Sequence, residues 1–118
     1  MVSNCVFCKI ATGKIPTQKI SESEHAFVIA DLFPQAPKRF LVIPKNHISS
    51  MSELFEKSSQ AKVVIGQLFE LGNRVAKEQG LLPGGYRSMI NTGKDAGQTV
   101  FHLHLHIMGG GTLPEKLT

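Results

Sequence analysis

Phe101-His102-Leu103-His104-Leu105-His106-Ile107-Met108 is the stretch on which the reading of this chain turns. Three of the five histidines fall here at two-residue spacing, and Phe101, Leu103, Leu105 and Ile107 take the alternate positions. Side chains on a β-strand point to opposite faces in turn. The pattern therefore predicts a strand, Thr99 to Met108, with an apolar face against a core and a row of imidazoles on the other. Neighbours on such a row stand roughly 6.5–7 Å apart. Outward positions of an ordinary half-buried strand favour Thr, Lys, Glu or Ser, so alternation alone does not account for histidine three times.

Working outward, Gly109-Gly110-Gly111 ends this strand, and Thr92–Gln98, with Gly93 and Gly97, is a loop leading into it. Tyr86–Asn91 alternates and predicts another strand. The run Ala26–Asp31 predicts a buried strand, and Arg39–Pro44 a second one, antiparallel to it across a short proline-stiffened link. Ser50-Met51-Ser52-Glu53 fits a capping box, so a short helix starts there. Ser58 or Ser59 restarts a longer helix. Ala61, Val64, Ile65, Leu68, Gly72, Val75 and Ala76 give it one apolar stripe, and Gly80 its stop. Val63, Phe69 and Leu71 lie outside that stripe and suggest burial on a second side, against a partner subunit. Residues 5–12 can make one or two helical turns before Gly13 and Pro16. The expected fold is α+β: a meander of mostly antiparallel strands with one main helix packed on it.

At 118 residues the chain is expected to form one domain, 1–118, with 112–118 as a short tail. Its hydrophobic content of 42% and charged content of 19% are those of a soluble globular protein. The longest apolar runs, 27–30 and 40–43, are far short of a membrane span. The opening Met1-Val2-Ser3-Asn4-Cys5 lacks the basic and apolar regions of a secretion signal, so a cytoplasmic location is expected. The net charge of +4 favours an anionic ligand only weakly. The basic residues are dispersed, with no basic run interleaved with aromatics, and a nucleic-acid surface is not indicated.

Both cysteines fall in Cys5-Val6-Phe7-Cys8. A C-x-x-C of this kind is a redox pair, half of a metal site, or two unliganded core cysteines. The chain before Cys5 is too short for the strand that precedes a thioredoxin-type redox pair. Half of a zinc site then needs two further ligands, and histidines are the plentiful candidates. The three clustered histidines either share a metal or divide roles as nucleophile, acid–base group and ligand. Three ligands from one flat strand would strain a metal site. The glycines of the 91–98 loop let backbone N–H groups approach a ligand closely, and Gln98 and Thr99 add side-chain donors, which suits a phosphate beside the histidines.

The segment Gln98–Met108 resembles the His-φ-His-φ-His-φ-φ signature of the histidine triad nucleotide-binding proteins. Asp31–Pro37, Phe40–Ser49, Gly85-Tyr86-Arg87 through Asn91-Thr92-Gly93, and the opening Cys5–Ile10 resemble the same family in order and spacing. The likeness covers nearly residues 5–110, and Gly109-Gly110 is most similar to the Hint-like branch. The resemblance implies an HIT-like sheet continued across a homodimer. It implies a purine nucleoside phosphoramidase-like hydrolase, acting at the α-phosphate of a purine nucleotide conjugate (AMP or GMP) through a nucleotidyl-histidine intermediate. In that scheme His104 is the nucleophile, His106 helps hold the phosphate, and Asn91, Gly97, Gln98 and Thr99 form the phosphate-side loop. Asp31 binds the ribose hydroxyls, and Phe7, Ile10, Ile29 and Leu32 line the base-and-ribose pocket. It further implies a structural zinc held by Cys5, Cys8, His47 and His102. The alternatives are a regulatory nucleotide-binding module, a dinucleoside polyphosphate hydrolase, or a metalloenzyme using all three triad histidines. Two departures stand out: Arg39 occupies a position where the family usually has histidine, and the Trp-Pro-Pro ending of the Hint-like branch is missing.

Overall fold

The computed structural model describes residues 4–31 and 37–115. Leu32 and most of the 31–37 segment therefore lie outside the described residues. The elements run α1 (Val6–Ala11), β1 (Ser21–Glu22), β2 (Ala26–Ala30), β3 (Lys38–Pro44), α2 (Met51–Lys57), α3 (Ala61–Glu78), β4 (Tyr86–Met89), a 3₁₀ turn (Lys94–Ala96) and β5 (Leu105–Gly109).

The strands form one antiparallel sheet in the order β1-β2-β3-β5-β4. This corrects the simple meander expected from the sequence: β3 pairs with β5, and β4 lies outside it. The physical reason is burial. Every residue of β5 is buried, as suits an interior strand, whereas β4 is half-exposed along its length, as suits an edge.

Two apolar layers cover the sheet. On one face Val28, Phe40, Val42, Leu105 and Ile107 pack with Leu68, Leu71 and Val75 of α3. On the other, Phe27, Ile29, Leu41 and Ile43 pack with Cys5, Phe7, Cys8 and Ile10 around α1. The apolar stripe of α3 is wider than expected, since Leu71 faces the core at 4% exposure. Val63 and Phe69 do stand exposed.

Helix ends follow local chemistry. The Ser50 hydroxyl accepts from Glu53 N–H at 3.2 Å, and the Glu53 carboxylate accepts in return from Ser49 rather than Ser50. At the end of α3, Gly80 N–H donates to Lys77 C=O at 3.1 Å and Leu81 N–H to Ala76 C=O at 2.8 Å, which closes a Schellman turn. Gly80 sits at φ +78°, a conformation that costs an L-residue roughly 1–2 kcal/mol. Gly80→Ala is expected to lower unfolding free energy by about 1 kcal/mol in urea titration, with an unchanged denaturant slope.

The histidine segment departs from the predicted strand. Only Leu105 onward pairs with β3, and His102 and His104 precede the ladder. Beyond Val42↔Leu105 the partners are already taken: the His102 ring bonds Pro44 C=O at 2.8 Å, and Leu103 N–H donates to Ile48 C=O at 2.7 Å. Leu103, Leu105 and Ile107 are buried as the alternation requires, but Phe101 is 52% exposed and lies off the apolar face. The imidazoles do not form an open row either, since His102 and His106 are buried.

Candidate functional site

Cys5, Cys8, His47 and His102 offer four ligand atoms, all within 4.8 Å of one another. Cys5 is the N-cap of α1 and Cys8 lies one turn on, so a single helical turn presents both thiols. His47 follows the end of β3, and His102 comes from the segment before β5. The contacts are 3.3 Å from Cys5 Sγ to His102 Nδ1, 3.3 Å from Cys8 Sγ to His47 Nδ1, and 3.6 Å from Cys8 Sγ to His102 Nδ1. Zinc bonds of about 2.3 Å to sulfur and 2.0–2.1 Å to nitrogen place tetrahedral ligand atoms about 3.3–3.8 Å apart. The donor set therefore fits. His102 Nε2–H donates to Pro44 C=O, which leaves the Nδ1 lone pair aimed at the thiols, the orientation a metal ligand needs. Burial pushes the His102 imidazolium down to about 4, so the ring is held neutral.

His104 and His106 are not part of that cluster. Their ring centroids are 4.9 Å apart at 63°, because the rings turn toward one another rather than standing in parallel. His104 Nδ1–H donates to His102 C=O at 2.7 Å. That bond fixes the tautomer and leaves Nε2 with its lone pair. Burial lowers the pKa of His104, opposed by the same carbonyl bond. Phe7 of α1 stands edge-on to both His102 and His104, with centroids 5.7 and 5.2 Å away. One short helix thus carries two candidate metal ligands and one wall of the site.

His106 is paired across the sheet with Leu41 on one side and Met89 on the other. Arg39 lies on the same face, two residues before Leu41. Its Nη2–H donates to His106 Nδ1 at 3.0 Å, and its Nε lies 3.0 Å from the Asp31 carboxylate. The latter contact is ionic rather than a well-aligned hydrogen bond, since Nε finds no acceptor at good geometry. Asp31 N–H in turn donates to Arg39 C=O at 2.9 Å, which extends the β2–β3 ladder by one residue. The Arg39 guanidinium is thus engaged by both Asp31 and His106. His106 Nε2 is buried with no protein partner among the described residues. Burial, then the neighbouring His104 and Arg39, push the His106 imidazolium down to about 4. Its folded pKa lies below the ordinary 6.5, so the unfolded chain binds the proton first and stability falls as pH drops from 6.5 toward 4. The His106 ring resonances are expected to stay unchanged in NMR titration from pH 8 to pH 5; a midpoint near 6.5 would contradict the buried, arginine-paired setting.

The phosphate-side loop is built from within. Gln98 is buried; its Oε1 accepts from Gly93 N–H at 2.8 Å, and its Nε2 donates to the carbonyls of Ser49 at 2.7 Å and Val100 at 3.1 Å. Its side chain therefore pins the loop to the segment before α2. Gly93 and Gly97 take φ of +85° and +89°, which only glycine adopts readily. Asn91 is half-buried and Thr99 exposed at the loop's two ends, and Thr92 Oγ1 is buried without a hydrogen-bond partner among the described residues. Ile10 and Ile29 are buried together on the α1 face. The anchoring carbonyls of Pro44, Ile48 and Ser49 were illegible in the sequence, because a backbone acceptor leaves no side-chain signature. A cavity of about 660 Å³ between Tyr86, Arg87, Gly109 and Leu113 lies at the far end of β5 and includes none of the candidate residues.

Fold and site together define a small α+β protein with a histidine triad set beside a Cys₂His₂ metal-type cluster. The chain belongs to the histidine triad (HIT) family. The family described as scavenger mRNA decapping enzyme C-terminal binding matches residues 4–114. An uncharacterised 13.2 kDa HIT-like protein of Azospirillum brasilense is 40% identical over 115 residues, 98% of this chain and 93% of that protein. A HIT family hydrolase from Clostridium thermocellum superposes with a TM-score of 0.92 at 37% identity, over 100% of both chains. A zinc-bound histidine triad family protein from Mycobacterium smegmatis superposes with a TM-score of 0.75 at 36% identity, over 98% of this chain and 80% of that one. Among the described residues, no helix is long and apolar enough to cross a membrane.

Proposed function

We propose that the protein is a nucleotidyl hydrolase that cleaves purine nucleotide conjugates at the α-phosphate, a nucleoside phosphoramidate or a related adenylyl conjugate, and releases the nucleoside monophosphate. The observation that carries this reading is the bond from His104 Nδ1–H to His102 C=O, which presents Nε2 as a neutral nucleophile of fixed orientation. The Nε2 lone pair attacks phosphorus and the leaving group departs with the electron pair of its broken bond. Water then attacks that phosphorus, the P–Nε2 bond breaks with its electron pair returning to His104, and the water's proton passes to solvent, leaving His104 again the neutral base. His106 Nε2–H, buried and without a protein partner among the described residues, is the proposed donor to the non-bridging oxygens, and loop 91–97 would add backbone N–H groups, with Asn91 and Thr99 as polar neighbours. Gln98 acts by holding that loop in shape. Asp31, braced by Arg39, takes the ribose hydroxyls, and Phe7, Ile10, Ile29 and Leu32 take the base and sugar.

Zinc is the proposed occupant of Cys5, Cys8, His47 and His102; with all four positions filled by protein it would serve structure, tying α1 to β3 and to the triad. A homodimer is proposed as the working form, because the β4 edge and the exposed Val63 and Phe69 of α3 offer a surface for a second copy. A cytoplasmic setting is proposed with it, since thiols stay reduced and available to hold zinc there.

Trapping tests the reading. The zinc-loaded protein, mixed with the mixed anhydride of AMP with sulfate labelled at the α-phosphorus and quenched in base, is expected to carry label on the peptide containing His104. Label on no peptide, or on one lacking His104, would refute the covalent scheme.

A further inference from the structure

We propose that Arg39 bars His106 from protonating the leaving group, and so restricts efficient turnover to nucleotide conjugates whose leaving group departs as a stable anion. The inference rests on the nucleotidyl-transfer reading above and narrows its substrate class.

The argument starts from hydrogen-bond inventory. Arginine has five N–H donors, no acceptor, and does not lose its proton in proteins. With Arg39 Nη2 at 3.0 Å, His106 Nδ1 can only be an acceptor. The ring's single proton is therefore on Nε2, the buried nitrogen without a protein partner. A neutral imidazole of this tautomer donates a hydrogen bond well, but giving up that proton would leave an imidazolate, which is not accessible near neutral pH. To serve as a general acid, His106 would need protons on both nitrogens. That requires Nδ1–H to confront the guanidinium at hydrogen-bond distance, cation against cation. Among the described residues, the groups facing His106 offer no relay. Arg39 cannot release a proton, Asp31 is the ionic partner of Arg39, and His104 Nδ1–H is held by His102 C=O.

The consequence falls on the leaving group. In an anhydride, the P–O bond breaks with its electron pair on oxygen, and the phosphate, sulfate or carboxylate anion that leaves needs no proton. In an amine phosphoramidate, the same step would put the pair on nitrogen, so the amine must first acquire a proton from solvent. A positioned acid contributes about 10²–10⁴-fold, and the triad here withholds it from the amine. Arg39 is thus a positioning and specificity residue that acts through His106.

The test uses the zinc-loaded full chain and two probes with the same nucleotide: the mixed anhydride of AMP with sulfate and the N-butyl phosphoramidate of AMP. The wild-type kcat/KM is expected to favour the anhydride by at least about 100-fold. Arg39→Lys, still a donor only, should keep that ratio within about threefold. Arg39→His, able to accept a proton's bond from Nδ1–H, should narrow it by at least about tenfold. Comparing ratios across variants cancels the intrinsic reactivity of the two probes. Turnover of the amine as fast as the anhydride in wild type overturns this inference alone and leaves His104 as nucleophile. Release of AMP from neither probe overturns the nucleotidyl reading and this inference with it. Should the variants fail to fold, the wild-type ratio and ¹⁵N spectra of the histidine rings still decide. His106 is expected to show an unprotonated Nδ1 and a protonated Nε2, and a proton on Nδ1 would overturn the proposal whatever the rates.

Discussion

Alanine at His104 is expected to slow AMP release in a single turnover by on the order of 10⁴-fold, with AMP binding changed by less than about threefold. The size of the effect follows from what the ring supplies. In the proposed scheme Nε2 is the atom that bonds to phosphorus, and no neighbouring imidazole can replace it. His102 is committed to the thiol cluster and Pro44, and His106 Nδ1 to Arg39. Binding survives because the proposed contacts to base and ribose come from Phe7, Ile10, Ile29 and Asp31. The His104 ring also carries a structural bond to His102 C=O, so the fold of the variant must be checked; an unchanged unfolding midpoint separates lost chemistry from lost structure. Rapid-quench release of AMP measures the rate. A variant as fast as the parent would show that water attacks phosphorus directly and that His104 is not the nucleophile.

Removing the proposed zinc is expected to lower the thermal midpoint by roughly 10 °C. Free zinc at a hundred times its Kd stabilises a folded state by about 2.7 kcal/mol, and a chain of this size shifts by about 4 °C per kcal/mol. The expected loss is local in origin. α1 has six residues, too few to be helical alone, so it depends on its anchors. Those anchors are the Cys5 and Cys8 thiols and the contacts of Phe7 and Ile10 with Phe27, Ile29, Leu41 and Ile43. Chelation at neutral pH, or Cys5→Ser, should release α1, expose the Cys8 thiol to a disulfide reagent and withdraw Phe7 from His104. Calorimetry with and without chelator, on protein purified with about one zinc per chain, measures the shift. Chelation that moves neither the midpoint nor thiol reactivity would show that packing alone holds α1.

Both predictions depend on three histidines that look alike in sequence and differ in environment. Their two-residue alternation foretold buried Leu103, Leu105 and Ile107 correctly. It misplaced the strand, because the ladder stops where Pro44 C=O turns to His102 and Ile48 C=O to Leu103. Periodicity reports which side a residue faces, not whether a partner's backbone is still available. The meander was misjudged for a related reason. Strand order depends on which strand is buried on both sides, and that is decided by where α1 and α3 settle. Leu71 shows the same limit on α3: it fell outside a narrow stripe yet packs into the core.

The sequence by itself determined the residue types and their spacing: two thiols one helical turn apart, three imidazoles in alternation, glycines where the loop takes positive φ, and the family to which the chain belongs. Those are local properties, written in neighbouring positions. The tertiary structure decided which nitrogen of each imidazole carries the proton. Pro44 C=O sets it for His102, His102 C=O for His104, and Arg39 for His106. A tautomer depends on the hydrogen-bonding group that meets the ring, and for His102 and His106 that group lies 58 and 67 residues away along the chain.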